Sequence, residues 1–523
     1  MGISFRSDSK TALVSTTGGT VRGYEYNGLS IFKGIPYAKA RRFHSPEPAD
    51  RFDGVFDAAS YGYVCPLMTN DRPGGELYVP HRFWPMDEDC LNLNIWTPGL
   101  DDRARPVLVW LHGGGFEAGS SIEQAAYDGA NMAQLGNAVV VTINHRLNIL
   151  GYFDLSDFGE EYANSGNAGT EDIVAALRWI HDNIALFGGD PARVTIFGQS
   201  GGGAKVTTLL QTPAADGLYA AGINMSGVIG GLLADEKGSG REMAEALLAE
   251  LHLSSVRDLE TVDYRLLARA YLKLRPEFQK AGKYVGCKPH PNAFYAGDPC
   301  AVGFRKETKD IPLMVGSVFG EFLSFAPSPY DRESMSPAQQ EAELRAFLGD
   351  GGADALIPLF RQAYPERHLI DLLRLDYIFR APEIEYIEKR SALNSRTFSY
   401  LFNLDQPING GSTPWHCCDI PYVFHNMDLV EHTHRPDGDN TAAERVQEQV
   451  FGSVIAFARS FSPVCDALPS WQPCRPGHEA TMVIGEASAI RENHDHALIP
   501  AALAHLAPAI ARRMEKEKAN IQH

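Results

Sequence analysis

A serine at the centre of a glycine-rich turn is the residue of this sequence best suited to covalent chemistry. Gly198, Ser200 and Gly202 form the pattern Gly-x-Ser-x-Gly. The apolar run 194–197 before it has the composition of a buried strand, and 204–210 after it begins like a helix. A serine on such a strand–turn–helix is held in a strained conformation that exposes its Oγ, and glycines two positions away avoid a collision. The pattern predicts a serine nucleophile.

Other interpretations of these glycines are open. An ordinary glycine-rich turn is the simplest alternative, because the five-residue pattern is weak by itself. A phosphate-binding Walker loop requires Lys and then Ser or Thr directly after its second glycine, whereas Ala204, Lys205 and Val206 follow Gly203. Upstream, 113–118 fits the dinucleotide pattern Gly-x-Gly-x-x-Ala, but Gly-Ser-Ser follows where a helix should begin. The sequence therefore disfavours a nucleotide site.

The elements around the turn indicate a mostly parallel sheet flanked by helices. Apolar runs at 106–111, 138–143 and 194–197 are typical of buried strands, and 170–187 carries apolar residues at helical spacing. Buried strands that alternate with helices form βαβ units. Together with the nucleophile turn, this alternation predicts the α/β class and the α/β-hydrolase fold, with N-terminal antiparallel strands within 12–35.

Helical patterns outside this alternation fall in two places. Residues 235–290 and 330–392 are expected to form cap or side insertions around the sheet. The 523 residues contain no internal repeat and no low-complexity linker. We therefore expect one α/β-hydrolase domain over 1–523.

An exposed serine needs a base in hydrogen-bond reach, and the base needs a carboxylate to fix its tautomer. In this fold the acid and then the histidine follow the serine along the chain, each in a loop at the carboxyl end of a strand. Glu321 follows a predicted strand at 311–316, and His416 follows another at 397–402. Position alone leaves the base open, because three more histidines follow closely, His425, His432 and His434.

A tetrahedral oxyanion needs two or three N–H donors aimed at one point. The N–H of Gly201, directly after the serine, is one candidate. The run 112–115, His-Gly-Gly-Gly, follows the buried run 106–111, where the early strand–helix loop of this fold lies. Glycines there let the backbone approach a substrate closely, although a flexible loop is the alternative.

The overall composition argues against several classes of partner. Hydrophobic residues make up 44% of the chain and charged residues 21%, which is typical of a soluble globular protein. The net charge of −18 argues against nucleic acid and anionic membranes as partners. No apolar run approaches the roughly 20 residues that span a bilayer. No secretion signal is visible, so we expect a cytoplasmic protein; a removed signal stays an open alternative.

The cysteines give little sign of a metal site or a disulfide scaffold. The eight cysteines include no Cys-x-x-Cys pair, which disfavours zinc and thioredoxin-like sites. Free thiols are the expectation for a cytoplasmic protein. We expect neither a metal nor another cofactor.

Several separate stretches resemble the type-B carboxylesterases, the α/β-hydrolases that include bacterial esterases, liver carboxylesterases and cholinesterases. The resemblance covers roughly 13–490 and suggests a bacterial member of the family. It is carried by 16–23, 32–38, 88–98, 188–203, 471–473 and 481–482. It implies that Ser200 is the nucleophile, Glu321 the triad acid and His416 the base. The further residues that it implies are Gly114, Gly115 and Gly201 as oxyanion donors and Ser226 as a hydrogen-bond partner near the acid.

The chain departs from the family pattern at several of these positions. Gln199 and Gly201 stand where the family usually has Glu and Ala, and Glu321 lacks the usual Asp-Glu-Gly surroundings. Cys417 follows the histidine where Gly is common. A glycine N–H still serves an oxyanion hole, so the departure at 201 does not threaten the function.

Two cysteines fall at positions that relatives join by a disulfide. These are Cys65 and Cys90. In a cytoplasmic protein we expect both to be thiols. The family contains monomers and dimers, so a monomer or a homodimer is compatible with the resemblance.

The implied activity is hydrolysis of a carboxylic ester of small-molecule size through an acyl-enzyme intermediate. Amides, thioesters and carbonates are alternative substrates, because the same catalytic groups serve each of them. A non-catalytic, cholinesterase-like binding protein is a further alternative, but such relatives lack the nucleophile or the base. Aromatic residues beside the candidate catalytic positions either line an apolar substrate pocket or belong to the core. They are Phe116, Phe319, Phe322 and Trp415.

Overall fold

A large twisted sheet organises the computed structural model, which describes residues 3–69, 78–234, 236, 238–325, 327–408, 411–435 and 438–521. The strands, in chain order, are β1 (Phe5–Arg6), β2 (Leu13–Thr16), β3 (Gly19–Arg22), β4 (Tyr24–Tyr26), β5 (Leu29–Pro36), β6 (Ala38–Lys39), β7 (Glu47–Pro48), β8 (Val55–Asp57), β9 (Asn92–Thr97), β10 (Arg105–Leu111), β11 (Val139–Ile143), β12 (Gly189–Gln199), β13 (Ala221–Met225), β14 (Leu313–Val318), β15 (Thr397–Phe402), β16 (Ala480–Ile484) and β17 (Ala489–Glu492).

Helices occupy the connections from β10 to β16, and a last helix follows β17. In chain order they are α1 (Ala130–Gly136), α2 (Asn148–Tyr152), α3 (Ala168–Asn183), α4 (Gly201–Leu210), α5 (Arg241–Leu251), α6 (Val256–Leu259), α7 (Tyr264–Lys280), α8 (Pro299–Val302), α9 (Pro337–Leu348), α10 (Asp350–Ala363), α11 (Arg380–Leu393), α12 (Ile420–Phe424), α13 (Thr441–Ser460) and α14 (Leu498–Ile521). None of the helices in the described part of the chain has both the length and the apolar character needed to cross a membrane.

The main sheet has twelve strands in the order β1-β4-β5-β9-β11-β10-β12-β13-β14-β15-β16-β17. Neighbours from β11 to β16 pair in parallel, and the strands at both ends of the sheet pair antiparallel. A three-stranded sheet of β2, β3 and β8 and a pair of β6 and β7 stand apart. The predicted α/β-hydrolase fold, with a mostly parallel central sheet and N-terminal antiparallel strands, is confirmed.

Both faces of the parallel strands are covered, which explains why their sequences are continuously apolar. Along β10, Val107, Val109 and Leu111 belong to one hydrophobic cluster, whereas Leu108 and Trp110 belong to another on the opposite face. The first cluster includes side chains of α3 and α4, and the second includes side chains of α13. Helices therefore pack on both faces of the sheet.

The long connections contain the helices predicted outside the βαβ alternation. Helices α5, α6 and α7 lie within the first predicted insertion, between β13 and β14, and α9, α10 and α11 lie in the second, between β14 and β15. The helix predicted at 170–187 begins at Ala168, ends at Asn183 and continues as a 3₁₀ turn to Phe187. Cys65 and Cys90 are both buried as free thiols.

The carboxyl ends of five neighbouring strands meet at one edge of the sheet. The register pairs Leu111 of β10 with Gly198 of β12 and Gln199 of β12 with Met225 of β13. It also pairs Val318 of β14 with Phe402 of β15. Loops that leave these strands therefore converge, although they are far apart in sequence, and this edge is where sites form in open α/β sheets.

Candidate active site

Ser200 occupies the sharp turn between β12 and α4. Its φ of 58° and ψ of −124° are rarely adopted by non-glycine residues and cost of the order of 1–3 kcal/mol. A Cβ at Gly198 would lie 2.5 Å from the carbonyl carbon of Gly202, and a Cβ at Gly202 would collide with the carbonyl oxygen of Leu111. The Ser200 N–H donates to the carbonyl oxygen of Met225 at 2.8 Å, which fixes the turn against β13. Crowding thus explains both glycines of the motif.

Glu321 lies in a 3₁₀ turn just after β14, and its carboxylate is fully buried. Oε1 accepts hydrogen bonds from the Ser226 hydroxyl at 2.6 Å and from the Val318 N–H at 2.9 Å. Oε2 contacts Nδ1 of His416 in a short hydrogen bond. These three partners hold the carboxylate in one orientation and satisfy a charge that burial would otherwise destabilise.

The imidazole of His416 is buried between the acid and a set of flat side chains. The backbone N–H of His416 donates to the backbone carbonyl oxygen of Glu321 at 3.2 Å. The ring centroids of Phe322 and Phe379 lie 4.5 and 5.0 Å from that of His416. The amide nitrogen of Gln199 lies 3.4 Å from Nδ1 and 3.3 Å from Nε2. Because Nδ1 is engaged by the carboxylate, Nε2 is the nitrogen available for proton transfer.

The three other histidines of this region have different surroundings. Nε2 of His425 lies 2.8 Å from the carboxylate of Glu448. The ring of His432 packs 5.2 Å from that of Trp415, and Nδ1 of His434 lies 3.2 Å from the hydroxyl of Thr433. Of the four candidates for the base, His416 is therefore the one that the fold brings to Glu321.

The glycine run after β10 forms a tight loop against the nucleophile turn. Gly114 and Gly115 have φ of +82° and +63°, which favour glycine. A Cβ at Gly114 would collide with the carbonyl oxygen of Ala118, and a Cβ at Gly201 would collide with the backbone nitrogen and oxygen of Gly115. The loop is thus in direct backbone contact with the first residue of α4, beside Ser200.

A cavity of about 710 Å³ opens at this edge of the sheet. Ser200, His416 and 113–115 line it together. The other lining residues are Tyr78, Val79, His81, Glu123, Gln124, Tyr127, Gln199, Phe322, Phe325 and Cys417. Aromatic rings form much of the wall. Within it, Nε2 of His81 lies 3.3 Å from Oε1 of Glu123.

Only one of the four aromatic residues predicted to line a substrate pocket does so. Phe322 is 44% exposed and lies at the cavity. Phe116, Phe319 and Trp415 are almost completely buried in hydrophobic clusters. Trp415 lies behind the wall, and its indole N–H donates to the carbonyl oxygen of Tyr78 at 3.1 Å. The pocket prediction is wrong for these three residues, because neighbours along a loop point in different directions.

Several cavity residues were not predicted from the sequence. Gln199 and Cys417 are the immediate neighbours of Ser200 and His416, and the Cys417 thiol donates to the Gln199 side-chain oxygen at 3.1 Å. Their position directly beside the candidate nucleophile and base could have identified them as cavity residues. Tyr78 comes from the long aperiodic segment before β9, where no sequence pattern marks it as part of the site.

Buried carboxyl groups surround the acid. Burial, reinforced by the negative charge of Glu321, raises the pKa of Asp376 to about 8 and that of Asp419 to about 7. Burial also raises the pKa of Glu383 to about 8, and the charge of Glu479 adds to this effect. The raised pKa values reduce the negative charge that these groups carry beside Glu321 near neutral pH. Within the described residues, no cluster of His, Cys, Asp or Glu side chains is arranged to hold a metal ion.

The parallel sheet, the strained serine turn and the loops at its carboxyl edge define an α/β-hydrolase of the esterase type. The family model described as "Carboxylesterase family" matches residues 10–498. The chain belongs to the carboxylesterase family, and its activity is that of a serine esterase.

Relatives and solved structures of this family match nearly the whole chain. The para-nitrobenzyl esterase of Bacillus subtilis (strain 168) is 31% identical over 487 residues, which cover 90% of this chain and 94% of the relative. The phenmedipham hydrolase of Pseudarthrobacter oxydans is 32% identical over 495 residues, which cover 91% of this chain and 96% of the relative. The structure of an esterase from anaerobic Clostridium hathewayi, which can hydrolyse aliphatic aromatic polyesters, is similar with a TM-score of 0.92. That esterase is 47% identical, and the match covers 96% of this chain and 100% of that chain.

Proposed function

We propose that Ser200, His416 and Glu321 act as the catalytic triad of this esterase. The observation that carries the proposal is the hydrogen bond from His416 Nδ1 to a fully buried Glu321, in a cavity that His416 shares with Ser200. Nε2 of His416 takes the proton of the Ser200 hydroxyl as Oγ attacks the ester carbonyl carbon. The imidazolium is stabilised by the Glu321 carboxylate, which stays ionised.

The oxyanion is proposed to accept hydrogen bonds from the N–H groups of Gly114, Gly115 and Gly201. Their backbone contact beside Ser200 supports this role. His416 then protonates the leaving alcohol, and the C–O bond of the ester breaks. Water, deprotonated by His416, then attacks the acyl carbon. The bond between this carbon and Oγ breaks, His416 returns the proton to Oγ, and the carboxylic acid is released.

We further propose that the preferred substrates are uncharged small esters with an aromatic acyl or alcohol group. Four aromatic side chains line the cavity, Tyr78, Tyr127, Phe322 and Phe325. Flat rings offer large apolar contact and favour offset or edge-to-face packing with a substrate ring. The similar esterase from Clostridium hathewayi, which acts on aliphatic aromatic polyesters, supports this choice.

A single domain is proposed, because one sheet takes strands from both ends of the chain.

The triad is tested by hydrolysis of p-nitrophenyl butyrate with the wild type and Ser200→Ala side by side. We expect Ser200→Ala to lose a factor of about 10⁴–10⁶ in kcat, as is typical of triad removal. Ser239→Ala is the matched control, since Ser239 is half-buried outside the cavity and its hydroxyl donates to the carboxylate of Asp157 at 2.7 Å. A fluorophosphonate should label Ser200 covalently in the wild type. Turnover retained by Ser200→Ala would refute the assignment.

The substrate proposal is tested with two neutral diesters of similar size. We expect kcat/KM for diethyl terephthalate to exceed that for diethyl adipate by about tenfold, because a ring packed on two or more aromatic walls gains about 0.5–1.5 kcal/mol with each of them. Equal or reversed preference would refute an aromatic specificity and leave the triad unaffected.

A further inference from the structure

A lysine is buried directly beneath the glycine loop, and nothing in the proposed mechanism uses it. Lys205 lies in the first half of α4, five residues after Ser200, and is only 1% exposed. Its Nζ donates to the carbonyl oxygen of His112 at 2.8 Å. That carbonyl belongs to the peptide that leads into Gly113. A Cβ on Gly113 would lie 3.6 Å from Cβ of Ser200, so this peptide is close to the reacting hydroxyl.

No carboxylate among the described residues forms an ion pair with Lys205. The acid whose negative charge acts on Lys205 is Glu123, which faces the substrate cavity and is already paired with His81. Burying a cation without an adjacent counter-charge is costly, and for this reason burial lowers the pKa of Lys205 to about 7. A buried lysine that is paired with a carboxylate commonly has a structural role. Lys205 has no such paired anion, and an oxyanion formed during the reaction would supply a negative charge nearby.

The other groups packed around Lys205 carry no competing charge. Burial and the charge of Lys205 hold the pKa of both His112 and His145 well below the usual range, so both imidazoles are neutral. Their rings stack with centroids 5.1 Å apart. Phe116 presents its ring 5.9 Å from Nζ, and Arg146, beside His145, is neutralised by Asp172. Ionisation of Lys205 therefore decides the charge beneath the loop, with Glu123 as the one opposing group.

We propose that Lys205, as an ammonium, is a positioning residue that holds the glycine loop through the His112 carbonyl and stabilises the oxyanion by its positive charge. The proposal rests on the triad and oxyanion site described above. The hydrogen bond from Lys205 joins α4, which carries the Gly201 N–H, to the peptide that begins the Gly113–Gly115 run. The proposed oxyanion donors of α4 and of the glycine loop are therefore held together by this lysine. The low-polarity surroundings preserve the effect of the charge.

The sign of the pH effect follows from linkage. An oxyanion near Lys205 raises its pKa, and by reciprocity the protonated lysine favours the oxyanion. Activity should therefore be high below the pKa of Lys205 and fall as pH rises through it, while His416 must be neutral for activity on the acid side. For a charge several ångströms from the oxyanion we expect a decline of about tenfold, to a lower plateau rather than to zero.

Two variants separate charge from packing. Lys205→Met keeps most of the volume and removes the charge, and Lys205→Arg keeps a charge at every pH of the assay. For p-nitrophenyl butyrate, we expect kcat/KM of Lys205→Met at pH 6.5 to fall about tenfold and its alkaline decline to disappear. Lys205→Arg should retain its activity up to pH 9. An unchanged alkaline decline in Lys205→Met, or in Lys205→Arg if the Met variant fails to fold, would overturn the proposal.

A tetrahedral inhibitor gives a readout that a purely structural role would not move. Phenyl trifluoromethyl ketone forms an anionic adduct with a serine nucleophile, whereas acetophenone binds without an adduct. We expect Lys205→Met to weaken the trifluoromethyl ketone about tenfold at pH 6.5 and to leave acetophenone unchanged; equal weakening of both would overturn the proposal. Failure of the triad assignment is distinguishable, because the wild type itself would then lack turnover and adduct formation.

Discussion

Gly201 is the position at which the family pattern and the structure make opposite predictions. The family usually has alanine there, so Gly201→Ala would be tolerated on resemblance alone. In the structure a Cβ at Gly201 would overlap the backbone of Gly115. The distances to its atoms would be about 1 Å shorter than ordinary van der Waals contacts. The obstacle is backbone, so a side-chain rotation cannot relieve it. The loop must move, and with it the Gly115 N–H that is proposed to bind the oxyanion.

The expected cost is that of one lost oxyanion donor. A donor displaced by about 1 Å no longer makes a good hydrogen bond, and such losses lower kcat by about 10²–10³. We expect Gly201→Ala to lower kcat for p-nitrophenyl butyrate by this factor with little change in KM, because the interaction is made only in the transition state. The overlap should also lower the free energy of unfolding by about 1–3 kcal/mol.

The control is an alanine at a comparable glycine elsewhere. Gly351 lies in the first turn of α10, its φ is not left-handed, and a Cβ there would meet nothing within 4 Å. Gly351→Ala should therefore keep kcat and leave the melting temperature unchanged or slightly higher. Full kcat in Gly201→Ala, with a melting temperature equal to that of the wild type, would show that the loop accommodates a methyl group and would refute the steric reasoning.

Four further substitutions test the residues around the candidate triad and the core behind it. Ser226→Ala removes the 2.6 Å hydrogen bond to Glu321, and we expect kcat to fall about tenfold with KM unchanged, measured by steady-state kinetics. Gln199→Glu places a carboxylate against the imidazole of His416 and favours its protonated form; it should move the acid limb of kcat/KM to higher pH, since the base must be neutral to accept a proton. Phe322→Ala should lower kcat/KM for diethyl terephthalate more than for diethyl adipate, whereas Phe319→Ala should lower the free energy of unfolding by about 3–5 kcal/mol, measured by urea denaturation.

Local physics made several features predictable. The glycines around Ser200 are required by backbone crowding within one turn, and apolar runs of strand length identified the parallel strands. The order of serine, acid and histidine followed from the rule that functional loops leave the carboxyl ends of parallel strands. For these reasons the sequence alone yielded the fold and three candidate residues, Ser200, Glu321 and His416, of which the fold joins the last two by a hydrogen bond. Their catalytic roles stay a prediction until they are tested.

Tertiary structure alone decided which side chains share the site. Phe322, within the 3₁₀ turn after β14, faces the cavity, whereas Phe319, between β14 and that turn, is buried in the core. The burial of Lys205 beneath the glycine loop depends on packing between α4 and the end of β10, which are far apart in sequence. Periodicity and turn chemistry are properties of a short segment, whereas the wall of a cavity is made by loops that meet only when the sheet has formed.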